Sequence, residues 1–240
     1  MTIASRRRAL MGQAKADPYT WEELFKAIDR GTYASNYALG DLIRLDLGTG
    51  GVLNMQIVAF DADIIADSNN AVPVTLISHE LFKTNHRYNP AYVAGTIGTG
   101  TIGGFENSEL RGYLVNTVYP LIPDFIRQRL VIVKKYTQSY DVNDTKQKNT
   151  LSNEKIWIPS MRELGNTSCE TLGPIYNAWF NSNAKRKKGK AGASTTEYKT
   201  RSAYSTTSNY DASSSGSLDQ TSKASSTLYP FPIGFCIGGT

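Results

Sequence analysis

The run Gly103-Gly104-Phe105-Glu106-Asn107-Ser108-Glu109-Leu110-Arg111-Gly112-Tyr113-Leu114 holds the sharpest change of pattern in the chain. Two glycines permit a tight turn, Asn107 or Ser108 supplies a helix cap, and Glu109 suits the positive end of the helix dipole. Leu110, Tyr113, Leu114, Thr117 and Val118 then recur at helical spacing, which predicts one buried face ended by Pro120. An earlier helix opens at the capping box Thr20-Trp21-Glu22-Glu23. Trp21, Leu24, Phe25 and Ile28 share its apolar face and Gly31 closes it.

Between these helices the period changes to two. Ile43, Leu45 and Leu47 alternate with Arg44 and Asp46, Gly48 to Gly51 turn the chain, and Val52 to Phe60 returns, which predicts a hairpin. Val72 to Ser78 is a further apolar run, and Pro73 assigns it to a sheet edge or a strand start. His79 to Thr101 reads as a long glycine-rich loop. Beyond Pro120, Pro123 to Leu130 predicts a short helix, Leu130 to Tyr136 a strand, and Thr137 to Glu154 a polar, turn-rich stretch. Lys155 to Ile158 predicts a short strand, and Ser160-Met161-Arg162-Glu163 is a second capping box for a helix closed by Gly165. Ser194 to Thr227 has hardly an aliphatic residue, yet Leu228 to Ile237 is an apolar strand. The whole pattern predicts an α+β fold: one globular domain over residues 19–240 with short antiparallel strands, two to four helices and long loops, preceded by a basic arm over residues 1–18. Trp21, Leu110, Leu114, Trp157 and Phe235 are its expected core. Tyr198 to Tyr229, pinned between apolar flanks, is expected to be an ordered surface facing solvent.

Composition narrows the chemistry. The net charge of +5 is concentrated: Arg6 to Arg8 and the Lys185 to Lys190 run hold eight of the 26 basic residues, leaving fewer bases than the 21 acids elsewhere. A solvated tail and loop of that kind argue against a nucleic-acid face. No apolar run is long enough to cross a bilayer and Met1 to Ala16 lacks a signal-like apolar core, so a protein made in a cytoplasm, without membrane insertion, is expected. His79 and His86 have no zinc spacing, and Asp61, Asp63 and Asp67 lack a complete calcium loop and read as solvated turn carboxylates. The Gly98 to Gly103 match to a phosphate loop lacks its strand and helix, and no hydrolase elbow is present. No metal, no cofactor and no enzymatic activity are therefore expected. Cys236 lies in an apolar strand, and a bridge to Cys169 stays open.

The order of several motifs carries a resemblance. Ser5-Arg6-Arg7-Arg8-Ala9-Leu10-Met11 resembles the opening of phage and prophage tail and fibre proteins. Gly40-Asp41-Leu42-Ile43, Met55 to Asp63, Gly103 to Leu114, Ile156 to Ser160, Phe180 to Arg186, Thr200 to Ala203 and Gly234 to Ile237 resemble an uncharacterised domain family of such proteins. That family is related in architecture to the C-type-lectin-like fold of phage tropism determinants and formylglycine-generating-enzyme-like domains. The chain departs from it at Phe105 and Lys199, where tryptophan is common. The resemblance implies a virion structural protein at the virion surface, a tail or fibre component, that meets a host-surface glycan or protein. The contacts would come from Tyr198, Arg201, Tyr204, Ser205, Thr207, Ser208, Asn209, Tyr210 and Asp211. Arg6, Arg7 and Arg8 would dock the arm onto other virion proteins or other copies, a trimer among the options. The alternative is a capsid or tail decoration protein that binds no receptor.

Overall fold

The computed structural model describes residues 19–143, 146–218 and 222–239. The arm, with Arg6, Arg7 and Arg8, lies outside the described residues. Helix α1 (Trp21–Asp29) starts as the capping box dictates: Thr20 Oγ1 accepts from the Glu23 amide at 3.2 Å, and the Thr20 amide donates to Glu23 Oε2 at 3.0 Å. Trp21, Leu24 and Ile28 are buried, and the Trp21 indole donates to the Arg44 carbonyl at 2.8 Å, tying the helix to the sheet beneath it. Thr20→Ala removes one half of the box and is expected to lower stability by about 1 kcal/mol, read from the urea midpoint.

The central sheet is antiparallel throughout. Strands β1 (Leu42–Asp46), β2 (Val52–Phe60) and β3 (Val74–Ser78) follow one another in sequence and in space. They are then joined by β12 (Gly234–Ile237) and β4 (Leu130–Val131), giving the order β1-β2-β3-β12-β4. Pro73 therefore precedes an inner strand, buried at all five positions, rather than marking an edge. Side chains alternate across this sheet. Leu76 joins Trp21, Leu24, Leu110, Leu114 and Phe235 in the larger core, while its neighbour Ile77 joins Phe180 and Tyr198 in a second one.

The glycine turn before the second main helix has a steric cause. Gly104 has φ +73, and a Cβ there would lie 2.3 Å from Thr150 Oγ1. Of the two candidate caps the chain uses Ser108, whose hydroxyl accepts from the Arg111 amide at 3.1 Å. After two short helices, α1 and α2 (Tyr33–Asn36), α3 (Glu109–Tyr113) runs into a π turn at Leu114–Val118 and a tight turn at Tyr119–Leu121. The wider π turn keeps Leu110, Leu114 and Val118 inward and rotates Thr117, expected on the buried face, out to solvent. Helix α4 (Asp124–Arg127) follows Pro123.

Three expectations change here. Thr137 to Glu154 is not a loop: β5 (Val133–Tyr140) and β6 (Gln147–Glu154) form a hairpin whose inward residues, Lys135, Thr137 and Ser139, are polar. The Ser160–Glu163 box forms, with the Glu163 amide donating to Ser160 Oγ at 3.2 Å and the Ser160 amide donating to Glu163 Oε2 at 3.0 Å, but it caps one turn and no helix continues from it. The polar stretch after α5 (Asn183–Arg186) is folded into β7 (Lys188–Gly189), β8 (Thr195–Thr196), β9 (Tyr198–Ala203), β10 (Ser208–Ala212) and β11 (Ser222–Ala224). The α elements thus number five among the described residues, most of them one turn long.

Candidate functional site

Strands β9 and β10 form a hairpin that carries all nine residues expected to contact a host. Its body is inside the protein. Tyr198 and Asn209 are fully buried, Arg201 and Asp211 are 1% exposed, and Tyr210 is 8% exposed. These five are corrected from surface contacts to interior groups: Arg201 is paired with Glu163, and the Tyr198 hydroxyl donates to the Arg186 carbonyl at 2.9 Å. Ser202 Oγ donates to Glu170 Oε1 at 2.7 Å and Thr200 Oγ1 to the Tyr210 carbonyl at 2.7 Å. The hairpin turn alone stays open, with Tyr204 exposed at 41% beside Ser205, Thr207 and Ser208.

Two other segments are stitched to that turn. The Thr101 amide donates to the Thr206 carbonyl at 3.0 Å and Thr101 Oγ1 to the Ser205 carbonyl at 2.6 Å. Tyr140, at the end of β5, donates its hydroxyl to the Tyr204 carbonyl at 3.0 Å. Gly100 permits the approach: a Cβ there would sit 2.1 Å from the Thr206 carbonyl oxygen. The loop that Thr101 closes presents Val93 and Ile97, both 55% exposed. Tyr204 stands edge-on to Tyr210 at 5.1 Å between ring centroids, so its ring has a fixed support. The result is one end of the molecule where apolar, aromatic and hydroxyl groups meet on a braced backbone.

Beneath lies a cluster of charges that sequence reasoning missed. Lys135 Nζ donates to Asp63 Oδ1 at 2.6 Å, Glu163 Oε1 at 2.9 Å and the Tyr176 hydroxyl at 2.8 Å, and it lies 3.7 Å from the centroid of the Trp157 ring. Arg201 grips both oxygens of Glu163, at 2.6 and 2.8 Å, and donates to the Ile158 carbonyl at 2.7 Å. Asp63 also accepts from Thr75 Oγ1 at 2.6 Å and from Tyr176 at 2.8 Å, which corrects its reading as a solvated turn carboxylate. Burial alone would raise the Glu163 pKa, but Arg201 and Lys135 pull it down to about 2. Burial and the Asp63 charge push the Cys236 thiol well up, and Cys236 and Cys169 are both free. Every charged member is at most 1% exposed. Such a cluster clamps β5, the Ser160 turn and β9 together.

Sequence signals for this clamp existed in part. Lys135 sits in an inward register position between Val133 and Thr137, and Glu163 was legible as the acid of a capping box. Among the described residues no group of three or more His, Cys, Asp or Glu side chains is placed to hold a metal ion. No helix among them is long and apolar enough to cross a membrane. No curated protein and no solved structure matches the chain. Residues 74–234 match the family described as Domain of unknown function (DUF6273), a span that starts with β3 and ends at the first residue of β12. It takes in the open turn, its two supporting segments and three of the four clamped charges. With two thirds of its length inside that match, the chain belongs to the DUF6273 family.

Proposed function

We propose that this chain is a bacteriophage virion component, a tail or fibre protein of C-type-lectin-like architecture, and that its open end recognises a host-surface glycan or protein. The recognition surface is smaller than the sequence suggested: Tyr204, Ser205, Thr207 and Ser208, with Val93 and Ile97 beside them. One observation carries this reading, the bracing of three segments distant in sequence around an exposed tyrosine. A ring already held in place loses little entropy on binding, and adjacent hydroxyls give adaptable hydrogen bonds. The reading is non-enzymatic because the charged groups of the clamp are paired and occluded. Incorporation into the particle would fall to the arm and Arg6 to Arg8.

The test uses particles that carry the full chain. Tyr204→Ala combined with Ile97→Ser is expected to lower adsorption to host cells by about tenfold or more, as truncation of a binding hot spot does. The melting temperature should hold, because both side chains face solvent. Unchanged adsorption at full occupancy would overturn recognition and leave the decoration reading.

A further inference from the structure

The Lys185 to Lys190 run was expected to be a solvated basic loop, and the fold divides it instead. Arg186 turns inward and donates to the Phe180 carbonyl at 2.7 Å and the Gly216 carbonyl at 2.9 Å. Lys188 is 2% exposed, with Nζ 2.5 Å from the Ser78 carbonyl oxygen and 5.9 Å from the centroid of the Phe180 ring. A cleft of about 440 Å³ opens there, lined by Lys187, Lys188, Lys190, His79, Glu80 and Asn54 together with the backbone of the loop that follows β7.

The charges around that cleft do not balance. Three lysines face a single lining carboxylate, Glu80, whose oxygens are taken by Asn54: the Asn54 amide donates to Oε2 at 2.7 Å and Asn54 Nδ2 to Oε1 at 2.9 Å. Lys190 is drawn off to the Lys83 carbonyl at 2.7 Å. Lys188 is left with one neutral carbonyl and an aromatic face, although an ammonium has three donors and is costly to bury without a counter-charge. We propose that this cleft is an oxyanion site, in which Lys188 receives the carboxylate or sulfate group of a small acidic ligand and Lys187 holds it from the rim.

The electrostatics of the cleft support that geometry. Burial brings the Lys188 pKa down to about 7, against a weaker opposing pull from Glu80. The neighbouring His79 is lowered by burial and by Lys188 itself. The charged and titratable groups that line the cleft with Lys188 are Glu80 and His79 from the chain after β3, of which Glu80 acts on Lys188 and Lys188 acts on His79, and Lys187 and Lys190 from its own segment. An anion bound beside Nζ favours the charged ammonium, so binding near neutral pH must take up a proton, and affinity must fall as pH rises through the pKa of Lys188.

The test is calorimetric titration of the full chain with sodium sulfate and with glucuronate, neither of which titrates near neutral pH. At about pH 7.5, in buffers of different ionisation heat, the binding enthalpy should change with the buffer because protons are taken up, and affinity should fall about tenfold between about pH 6 and about pH 8.5. Lys188→Met, which keeps an apolar chain against Phe180, should weaken binding by about tenfold or more and abolish the uptake, whereas Lys187→Ser should weaken it less and leave the uptake in place. Absence of binding by both probes at about 10 mM overturns the proposal. So does binding by the parent chain whose enthalpy is independent of the buffer, a readout that needs no variant to fold.

Discussion

Glu163→Ala is expected to destabilise the protein by about 3 to 5 kcal/mol, measured as a shift of the urea midpoint. The carboxylate is the hub of the clamp. Without it the Arg201 guanidinium keeps only neutral partners such as the Ile158 carbonyl, and Lys135 keeps Asp63 but loses its second charge. A buried guanidinium then lacks its direct ion-pair partner, the arrangement in which burial costs most. The same group sets a pH dependence whose sign is fixed. Its pKa is about 2 in the folded chain against an ordinary 4.5, so its stabilisation is complete above that ordinary value and is lost as pH falls towards 2. Urea midpoints of the parent should drop across that window, and those of Glu163→Gln should start lower and drop less. A Glu163→Ala protein that unfolds at the parent's midpoint would refute the clamp.

Trp157→Ala should cost a similar amount, about 3 to 5 kcal/mol, for a different reason. Its side chain is fully buried, lies over Lys135, and packs so closely on Gly234 that a Cβ there would come 3.0 Å from the indole. Truncation opens a cavity and strips the aromatic face from a buried ammonium. Trp157→Phe is the informative comparison. The Trp157 Nε1 proton has no hydrogen-bond partner, so phenylalanine removes a desolvated donor while retaining a ring above Lys135. Its cost should be roughly 1 kcal/mol, and thermal melts in which the alanine and phenylalanine variants lose equal stability would contradict this account.

What could be read from the sequence follows from which interactions leave a local trace. The Thr20 capping box, the alternation in β1 and the apolar runs of β3 and β12 are local, and Trp21, Leu110, Leu114, Trp157 and Phe235 are all at most 7% exposed. The second half of β5 and all of β6 escaped because the inward face of that hairpin is polar, so the hydrophobic period that marks a half-buried strand is missing. Asp63 and Lys135 are 72 positions apart, and neither charge signals the other in sequence. Composition marked only the broad segment Tyr198 to Tyr229 as exposed, and the contributions of Thr101 and Tyr140 to the β9–β10 turn depend on folding. The resemblance placed Tyr198, Arg201, Asn209, Tyr210 and Asp211 at the surface, but remote segments bury them.

The sheet order has a bearing on how the protein is made. Strand β12 is the last of the strands in chain order, yet it lies between β3 and β4, with Phe235 opposite Leu76 and Cys236 opposite both Thr75 and Val131. During synthesis from the N-terminus, β1, β2 and β3 can pair as they emerge, but the far edge of β3, buried at every position in the finished fold, waits for residues 234–237 to leave the ribosome. Until then the nascent chain carries an open, apolar strand edge, the kind of surface that pairs with other chains. Completion of the central sheet therefore waits for β12, and yield in the cell should depend on chaperones that shield β3 during that interval.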